Sequence, residues 1–102
     1  MQHTTRAYGG MTVAPHHLAA QAGRDILREG GNAVEAMVAM ASTIAVAYPH
    51  MNGIGGDGFW LIHEPGKPPL AIDASGPAAG LATRTFYAEQ GYDAAQGIPT
   101  RG

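Results

Sequence analysis

Apolar residues recur at spacings of three and four between His16 and Glu29, which predicts a helix with one apolar stripe. The stripe consists of Leu18, Ala19, Ala22, Ile26 and Leu27. Polar residues take the positions between them. Gly30 and Gly31 predict the end of this helix, because glycine accepts the left-handed conformation that follows a last helical turn.

A second helix is predicted from Asn32 to Ala47, ending near Pro49. Asn32 is a good N-cap, and Glu35, three residues on, completes a capping-box pattern. Beyond Ala36 only two polar residues interrupt the apolar sequence of the helix. A helix that is apolar on every side must be covered on every side, and the first helix alone does not suffice. The pattern predicts a core shared with polypeptide outside this sequence.

A β-hairpin is predicted further along the chain. Phe59–His63 and Leu70–Ala74 have strand composition and flank a turn rich in proline and glycine. Phe59–Ile62 is continuously apolar instead of alternating, which favours a strand buried on both faces.

Two shorter elements complete the prediction. Met11–Ala14 is a candidate strand, and Pro15 after it suits the first turn of the next helix. Ala82–Gln90 is predicted as a short helix. Residues 1–102 are interpreted as one incomplete α+β unit without repeats or linkers, ending as if cut.

Composition narrows the classes of function. The chain has 102 residues, of which 45% are hydrophobic and 14% charged, and its net charge is −2. The low charge indicates extensive cover by other protein, and no basic block favours nucleic acid or anionic lipid. No apolar run is long enough to span a membrane, and no secretory signal follows Met1. We therefore expect a cytoplasmic protein.

The glycine-rich stretch Gly53–Gly58 satisfies the pattern G-x-G-x-x-G. A dinucleotide site needs a strand before that loop and a helix after it, and here the order is reversed. The stretch is either a tight connection between buried elements or a bare loop lining a substrate pocket. The residues alone favour the tight connection.

Other catalytic signatures are weak. None of the five histidines forms a zinc-binding pattern, so neither a metal nor a cofactor is expected. The adjacent side chains of His16 and His17 are expected to point in different directions. No cysteine is present, which removes disulfides and thiolate catalysis.

The serines and carboxylates carry no catalytic signature either. Neither Ser42 nor Ser75 lies in a nucleophile-elbow motif. The carboxylates show no spacing diagnostic of an acid–base pair. Asp57 and Asp73 flank the predicted hairpin and are the carboxylates to inspect first.

Two strings carry a family resemblance: ILREGGNAVEA at residues 26–36 and GIGGDGF at residues 53–59. In this order and with this gap they resemble the γ-glutamyltransferase family, over roughly residues 10–92. The resemblance implies an N-terminal-nucleophile hydrolase, an αββα sandwich of which this chain is an incomplete part. It also implies a precursor that cleaves itself into a large and a small subunit.

The implied chemistry lies outside the chain. In that family the new N-terminal threonine of the small subunit is the nucleophile, and its own amino group can serve as the base. Backbone amides stabilise the oxyanion, and the acyl-enzyme passes to water or to an amine. All these elements lie downstream, so no catalytic residue is expected in residues 1–102.

One departure from the family pattern bears on the substrate. Transferases of the family carry an arginine that grips the α-carboxylate of the γ-glutamyl donor, in a pattern like D-x-R-E-x-A-P. Here the sequence from Asp73 to Pro77 places Ser75 where that arginine is expected. Serine offers no bidentate cationic fork, although Arg84 or Arg101 is available to compensate. Ser75 is thus the candidate substrate-binding residue.

Three hypotheses follow for function. The first is a segment of an amide-hydrolysing family member, similar to cephalosporin acylase or oxamate amidohydrolase. The second is a true γ-glutamyl transferase or glutathione hydrolase that uses another arginine. The third is a non-catalytic structural fragment. Under the first, the partners are the remainder of the precursor and a small amide, and the segment alone is inactive.

Overall fold

The structure, a computed structural model, describes residues 4–93, 95 and 97 and contains three helices and one hairpin within them. The elements in chain order are α1 (His17–Arg28), α2 (Ala33–Ala47), β1 (Phe59–Ile62), β2 (Leu70–Asp73) and α3 (Arg84–Glu89). The predicted α+β class is confirmed. No helix in this described part is long and apolar enough to cross a membrane.

The connection between α1 and α2 follows the sequence signals closely. Gly30 has a φ of +91°, as a left-handed residue after a helix requires. The Gly31 N–H then donates to the carbonyl of Ile26 at 2.9 Å, which satisfies a carbonyl of the last turn. This turn brings the two helices side by side.

The capping box of α2 is present as predicted. Asn32 Oδ1 accepts from the N–H groups of Val34 and Glu35 at 2.9 and 3.0 Å. Glu35 Oε2 accepts from the Asn32 N–H at 2.8 Å. Three donors at the start of the helix thereby find partners, so the sequence fixes where α2 begins.

The core lies between α1 and α2 and is small. Ala19, Ala36 and Met40 are the only buried apolar side chains among the described residues. Gly23 is also buried, and a Cβ built there would meet the Met40 side chain. The helices approach closely because small residues line their contact.

The far side of α2 lacks cover within the described chain. Val38 is 53% exposed and Val46 79% exposed, although both stand in an apolar helix. Exposed apolar surface of this kind marks an interaction site. α1 therefore covers one side only, in agreement with the sequence pattern.

The hairpin β1–β2 is antiparallel, with Phe59 opposite Asp73 and Ile62 opposite Leu70. The prediction that β1 is buried on both faces is wrong for the described chain. Phe59 is 72% exposed and Leu61 79% exposed. The continuous apolar run is present, but no described element packs over that face.

Met11–Ala14 does not form a strand, contrary to the prediction. A strand needs another strand to pair with, and the sheet of the described chain contains only β1 and β2. The segment instead contacts α1, where Thr12 Oγ1 donates to the carbonyl of Ala20 at 2.8 Å. Pro15 lies before the helix and not in its first turn, because His16 is the N-cap.

The third helix is shorter than the predicted Ala82–Gln90. It begins at Arg84, because the side chain of Thr83 caps it by accepting from the Phe86 N–H at 3.1 Å. Gly91, with a φ of +85°, follows it, as expected. Residues 98–102, where the sequence was interpreted as ending as if cut, lie outside the described residues.

Candidate functional site

The candidate binding residue Ser75 lies in a tight turn just after β2. Asp73 Oδ1 accepts the Ser75 backbone N–H at 3.0 Å and the Ser75 hydroxyl at 2.8 Å. Both bonds favour the ionised carboxylate, the backbone N–H most strongly, and they lower the pKa of Asp73 below its ordinary value. The turn is exposed in the described chain.

The glycine-rich loop ends beside this turn. Gly58 and Ala74 exchange backbone bonds, with the Ala74 N–H donating at 2.8 Å and the Gly58 N–H at 3.4 Å. These bonds extend the hairpin ladder by one pair and hold the end of the loop next to Asp73. Sequence reasoning named both segments, and the structure brings them together.

The loop itself presents bare backbone. Gly55 has a φ of +94°, which favours glycine, and no atom lies within 4 Å of a Cβ built at any of the four glycines of the loop. The open surroundings do not support the interpretation of a tight, packed connection. They fit a backbone that another molecule or chain segment can approach closely. Asp57 in this loop is exposed.

The turn offers hydrogen-bond acceptors and negative charge. The only hydrogen of the Ser75 hydroxyl already points to Asp73, so its lone pairs remain for a ligand. Within residues 4–93 no hydrogen bond or ion pair joins Arg84 to this turn. Arg101 lies outside the described residues. The described site thus has no cation to hold a carboxylate.

A groove of about 560 Å³ lies elsewhere, between the start of α2 and β1. Val34 and Met37 line one wall, and residues 59–65 line the other. Sequence analysis did not find it, because the groove depends on how the hairpin sits relative to α2. No short-range signal records that arrangement.

The histidines form ring contacts near the ends of the helix pair. The rings of His16 and His17 stack with centroids 4.6 Å apart, so the prediction that they point in different directions is wrong. His16 is the N-cap of α1, since its Nδ1 accepts a hydrogen bond from the Leu18 N–H. The backbone therefore changes from extended at His16 to helical at His17, and this change of direction lets the two rings stack. Tyr48 packs on His50 at 4.2 Å. In the described part of the chain no three ligating side chains gather as a metal site would need.

Comparison with known proteins places these features in a family. The sequence model of the Gamma-glutamyltranspeptidase family matches residues 19–102. Oxamate amidohydrolase proenzyme of Klebsiella pneumoniae is 63% identical over 93 residues, which cover 91% of this chain and 17% of that protein. Glutathione hydrolase proenzyme of Escherichia coli is 42% identical over 85 residues, covering 83% of this chain and 15% of that protein.

A solved structure agrees with the sequence matches. Gamma-glutamyltranspeptidase from Pseudomonas nitroreducens superposes with a TM-score of 0.72 at 43% identity, over 80% of this chain and 24% of that chain. The chain spans about a sixth of the length of the curated relatives it matches. Identity is higher to the amidohydrolase than to the glutathione hydrolase, which agrees with the predicted branch.

Proposed function

The chain belongs to the gamma-glutamyltranspeptidase family, and on that premise we propose that residues 1–102 are an N-terminal segment of the large subunit of a self-processing amidohydrolase. The proenzyme names of the relatives support a precursor. The uncovered face of α2 supports a fold completed by further polypeptide. In this proposal the helices and the hairpin are one portion of an αββα sandwich.

The proposed reaction is hydrolysis of a small amide. The threonine hydroxyl of a downstream segment attacks the amide carbonyl carbon, and its proton passes through the threonine's own amino group to the departing nitrogen. The C–N bond breaks, leaving an ester on threonine. Water then attacks the ester, which releases the acid and restores the hydroxyl.

The observation that carries the choice of substrate is the Asp73–Ser75 turn. A γ-glutamyl donor presents an α-carboxylate, which needs a cationic fork for tight binding. At the matching position this chain presents an acceptor and, beside it, a carboxylate. The family pattern contains the same aspartate, so the difference lies in the missing guanidinium, which leaves the α-carboxylate of a γ-glutamyl group without a cationic partner at this position. The proposed substrate class is therefore a small amide without a γ-glutamyl group.

The test uses the full-length polypeptide that contains this segment. We expect it to cleave itself into two chains, the second starting with threonine, and to release ammonia from oxamate faster than p-nitroaniline from γ-glutamyl-p-nitroanilide. Residues 1–102 alone should catalyse neither reaction. Faster cleavage of the γ-glutamyl substrate would instead establish the glutathione hydrolase alternative. Failure to self-process would leave only the structural-fragment hypothesis.

A further inference from the structure

Asn52 and Gly53 form the only asparagine–glycine step of the chain, between the end of α2 and the glycine-rich loop. Both residues are exposed in the described chain, and no atom lies within 4 Å of a Cβ built at Gly53. The Gly53 N–H donates no hydrogen bond to any described residue. Neither packing nor a hydrogen bond therefore restrains the Gly53 nitrogen from approaching the side chain before it.

This arrangement suits an internal reaction of the asparagine, a chemically labile residue. The Gly53 nitrogen attacks Asn52 Cγ, so that a new N–C bond closes a succinimide ring. The Cγ–Nδ2 bond breaks, and the proton of the backbone nitrogen leaves with ammonia. Water then adds to one of the two ring carbonyls, and opening at Cγ gives aspartate, whereas opening at the main-chain carbonyl gives isoaspartate. The reaction needs water and no other reactant.

We propose that Asn52 is a site of spontaneous deamidation, and that the reaction detaches the glycine-rich loop from the end of α2. The Asn52 side chain joins the two, because its Nδ2 donates to the carbonyl of Tyr48 at 3.1 Å. Tyr48 is the C-cap of α2, where the carbonyls carry partial negative charge. After deamidation a carboxylate replaces the donor and is repelled by that carbonyl. The modification does not depend on the activity of the protein.

The other asparagine of the chain, Asn32, is protected by its surroundings. Its Oδ1 accepts from the N–H groups of Val34 and Glu35, and its own N–H donates to Glu35 Oε2. The side chain must leave this capping box before the Ala33 nitrogen can reach Cγ. The Cβ of Ala33 also crowds the approach, which glycine does not do.

Asp57 precedes a glycine as well, but the nitrogen of that glycine is held. The Gly58 N–H donates to the carbonyl of Ala74 at 3.4 Å, and the Gly58 carbonyl accepts from the Ala74 N–H at 2.8 Å. Ring closure at Asp57 must break this pair of the hairpin ladder. The structure therefore distinguishes Asn52 from both sites that resemble it in sequence.

Peptide mass spectrometry of the full-length protein tests the reaction, because it detects the replacement of NH by O. The protein is incubated at mildly alkaline pH, which favours the deprotonated nitrogen, and digested at acidic pH. We expect Asn52 to convert at least about tenfold faster than Asn32, whose capping box must open first. Isoaspartate should form at position 52 and not at position 57. Equal rates at the two asparagines overturn the proposal.

Gly53→Ala is the matched variant for the attacking residue. The φ of Gly53 lies outside the left-handed region and the added Cβ meets no atom within 4 Å, so alanine fits the described chain without strain. We expect the conversion of Asn52 to slow at least about fivefold in full-length Gly53→Ala, because the Cβ hinders ring closure. An unchanged rate overturns the proposal, since residue 53 would then not be the nucleophile.

Detachment of the loop is tested with Asn52→Asp, which has the charge of the product, and Asn52→Ala, which only removes the bond. The Met51 N–H donates to the same Tyr48 carbonyl at 3.3 Å, so its exchange with solvent reports on this turn. In the full-length protein it should exchange at least about threefold faster in Asn52→Asp than in wild type, with Asn52→Ala between them. Equal exchange in Asn52→Asp and wild type contradicts the detachment.

Discussion

Asp73 and Ser75 form a closed pair, in which a single carboxylate oxygen accepts both the backbone N–H and the hydroxyl of the serine. The pair uses up the only donor hydrogen of the side chain. The pair therefore offers a ligand a hydrogen-bond acceptor and a negative charge. Its polarity is opposite to that of an arginine at the same position.

Removal of the serine hydroxyl should raise the pKa of Asp73 part of the way to its ordinary value. Ser75→Ala deletes the hydroxyl bond and keeps the backbone N–H, which is the larger cause of the lowered pKa. Because the folded-state pKa is lowered, the pair stabilises the fold above the ordinary aspartate pKa of about 4, and this contribution is lost as pH falls below it.

NMR titration of the carboxyl carbon in aspartate-labelled protein measures this change. Ser75→Thr, which keeps a hydroxyl, serves as the control and should leave the pKa near that of the wild type. An Asp73 pKa that is identical in Ser75→Ala and wild type would show that the hydroxyl bond contributes nothing.

Introducing the cation should shift substrate preference. In full-length protein, Ser75→Arg is expected to raise kcat/KM for γ-glutamyl-p-nitroanilide by about 10- to 100-fold, the range of a charge-assisted bidentate contact. Ser75→Met adds comparable length without charge and should give no gain. Equal activities of the two variants would mean that the donor carboxylate does not bind at this position.

The sequence predicted the elements whose signals are local. The glycine after α1 and the capping box at Asn32 act within four residues, so their positions needed no knowledge of the fold. The Asp73–Ser75 bonds are equally local and were missed, although an aspartate that bonds two residues ahead is a common turn device.

Non-local features were the ones that sequence could not supply. Met11–Ala14 has strand composition, but whether it pairs depends on a neighbour that its own residues do not specify. The groove beside β1 depends likewise on the placement of the hairpin against α2. Both the pairing of this segment and the shape of the groove depend on residues that are distant in the chain.

Loss of the capping box should loosen the start of α2. Asn32→Ala removes the acceptor of two N–H groups and is expected to cost about 1 kcal/mol. In hydrogen exchange of the full-length protein, the amides of Val34 and Glu35 should then exchange roughly fivefold faster. Asn32→Asp keeps the acceptor and should change little. Unchanged exchange in Asn32→Ala would contradict the capping role.

A methyl group at the closest point of the helix pair should be destabilising. In Gly23→Ala the new Cβ would lie 2.6 Å from Met40 Cγ and 3.0 Å from Thr12 Cγ2. Overpacking costs about 1–3 kcal/mol, which outweighs the gain of up to about 1 kcal/mol from replacing glycine in a helix. Chemical denaturation should therefore show a lower free energy of unfolding.

A double-mutant cycle identifies Met40 as the cause. Met40→Ala makes room for the methyl group, so the combined variant should lose at least about 0.5 kcal/mol less than the sum of the single losses. Gly80→Ala, where nothing lies within 4 Å of the added atom, is the control for glycine replacement. Strictly additive effects would place the strain elsewhere.

The uncovered face of α2 should behave oppositely in the short chain and in the full-length protein. Residues 1–102 alone are expected to self-associate, because Val38 and Val46 expose apolar surface. Replacing both with lysine should raise the soluble monomer fraction of that chain. In the full-length protein the same lysines would be buried against covering polypeptide without a partner, and such uncompensated charges are strongly destabilising. Sedimentation of the short chain and the yield of cleaved full-length protein measure the two effects.

Gln21→Lys places a single added positive charge on an exposed polar position of α1 and should leave both proteins unaffected. The test is decided by the opposite effects of the two lysines, which should raise the solubility of the short chain and lower the yield of the full-length protein. A general effect of charge on solubility would change both proteins in the same direction. A soluble, monomeric wild-type segment, or a full-length protein that accepts both lysines, would show that nothing covers this face. α2 would then be a surface helix, and the proposed assembly of this segment into a larger subunit would be wrong.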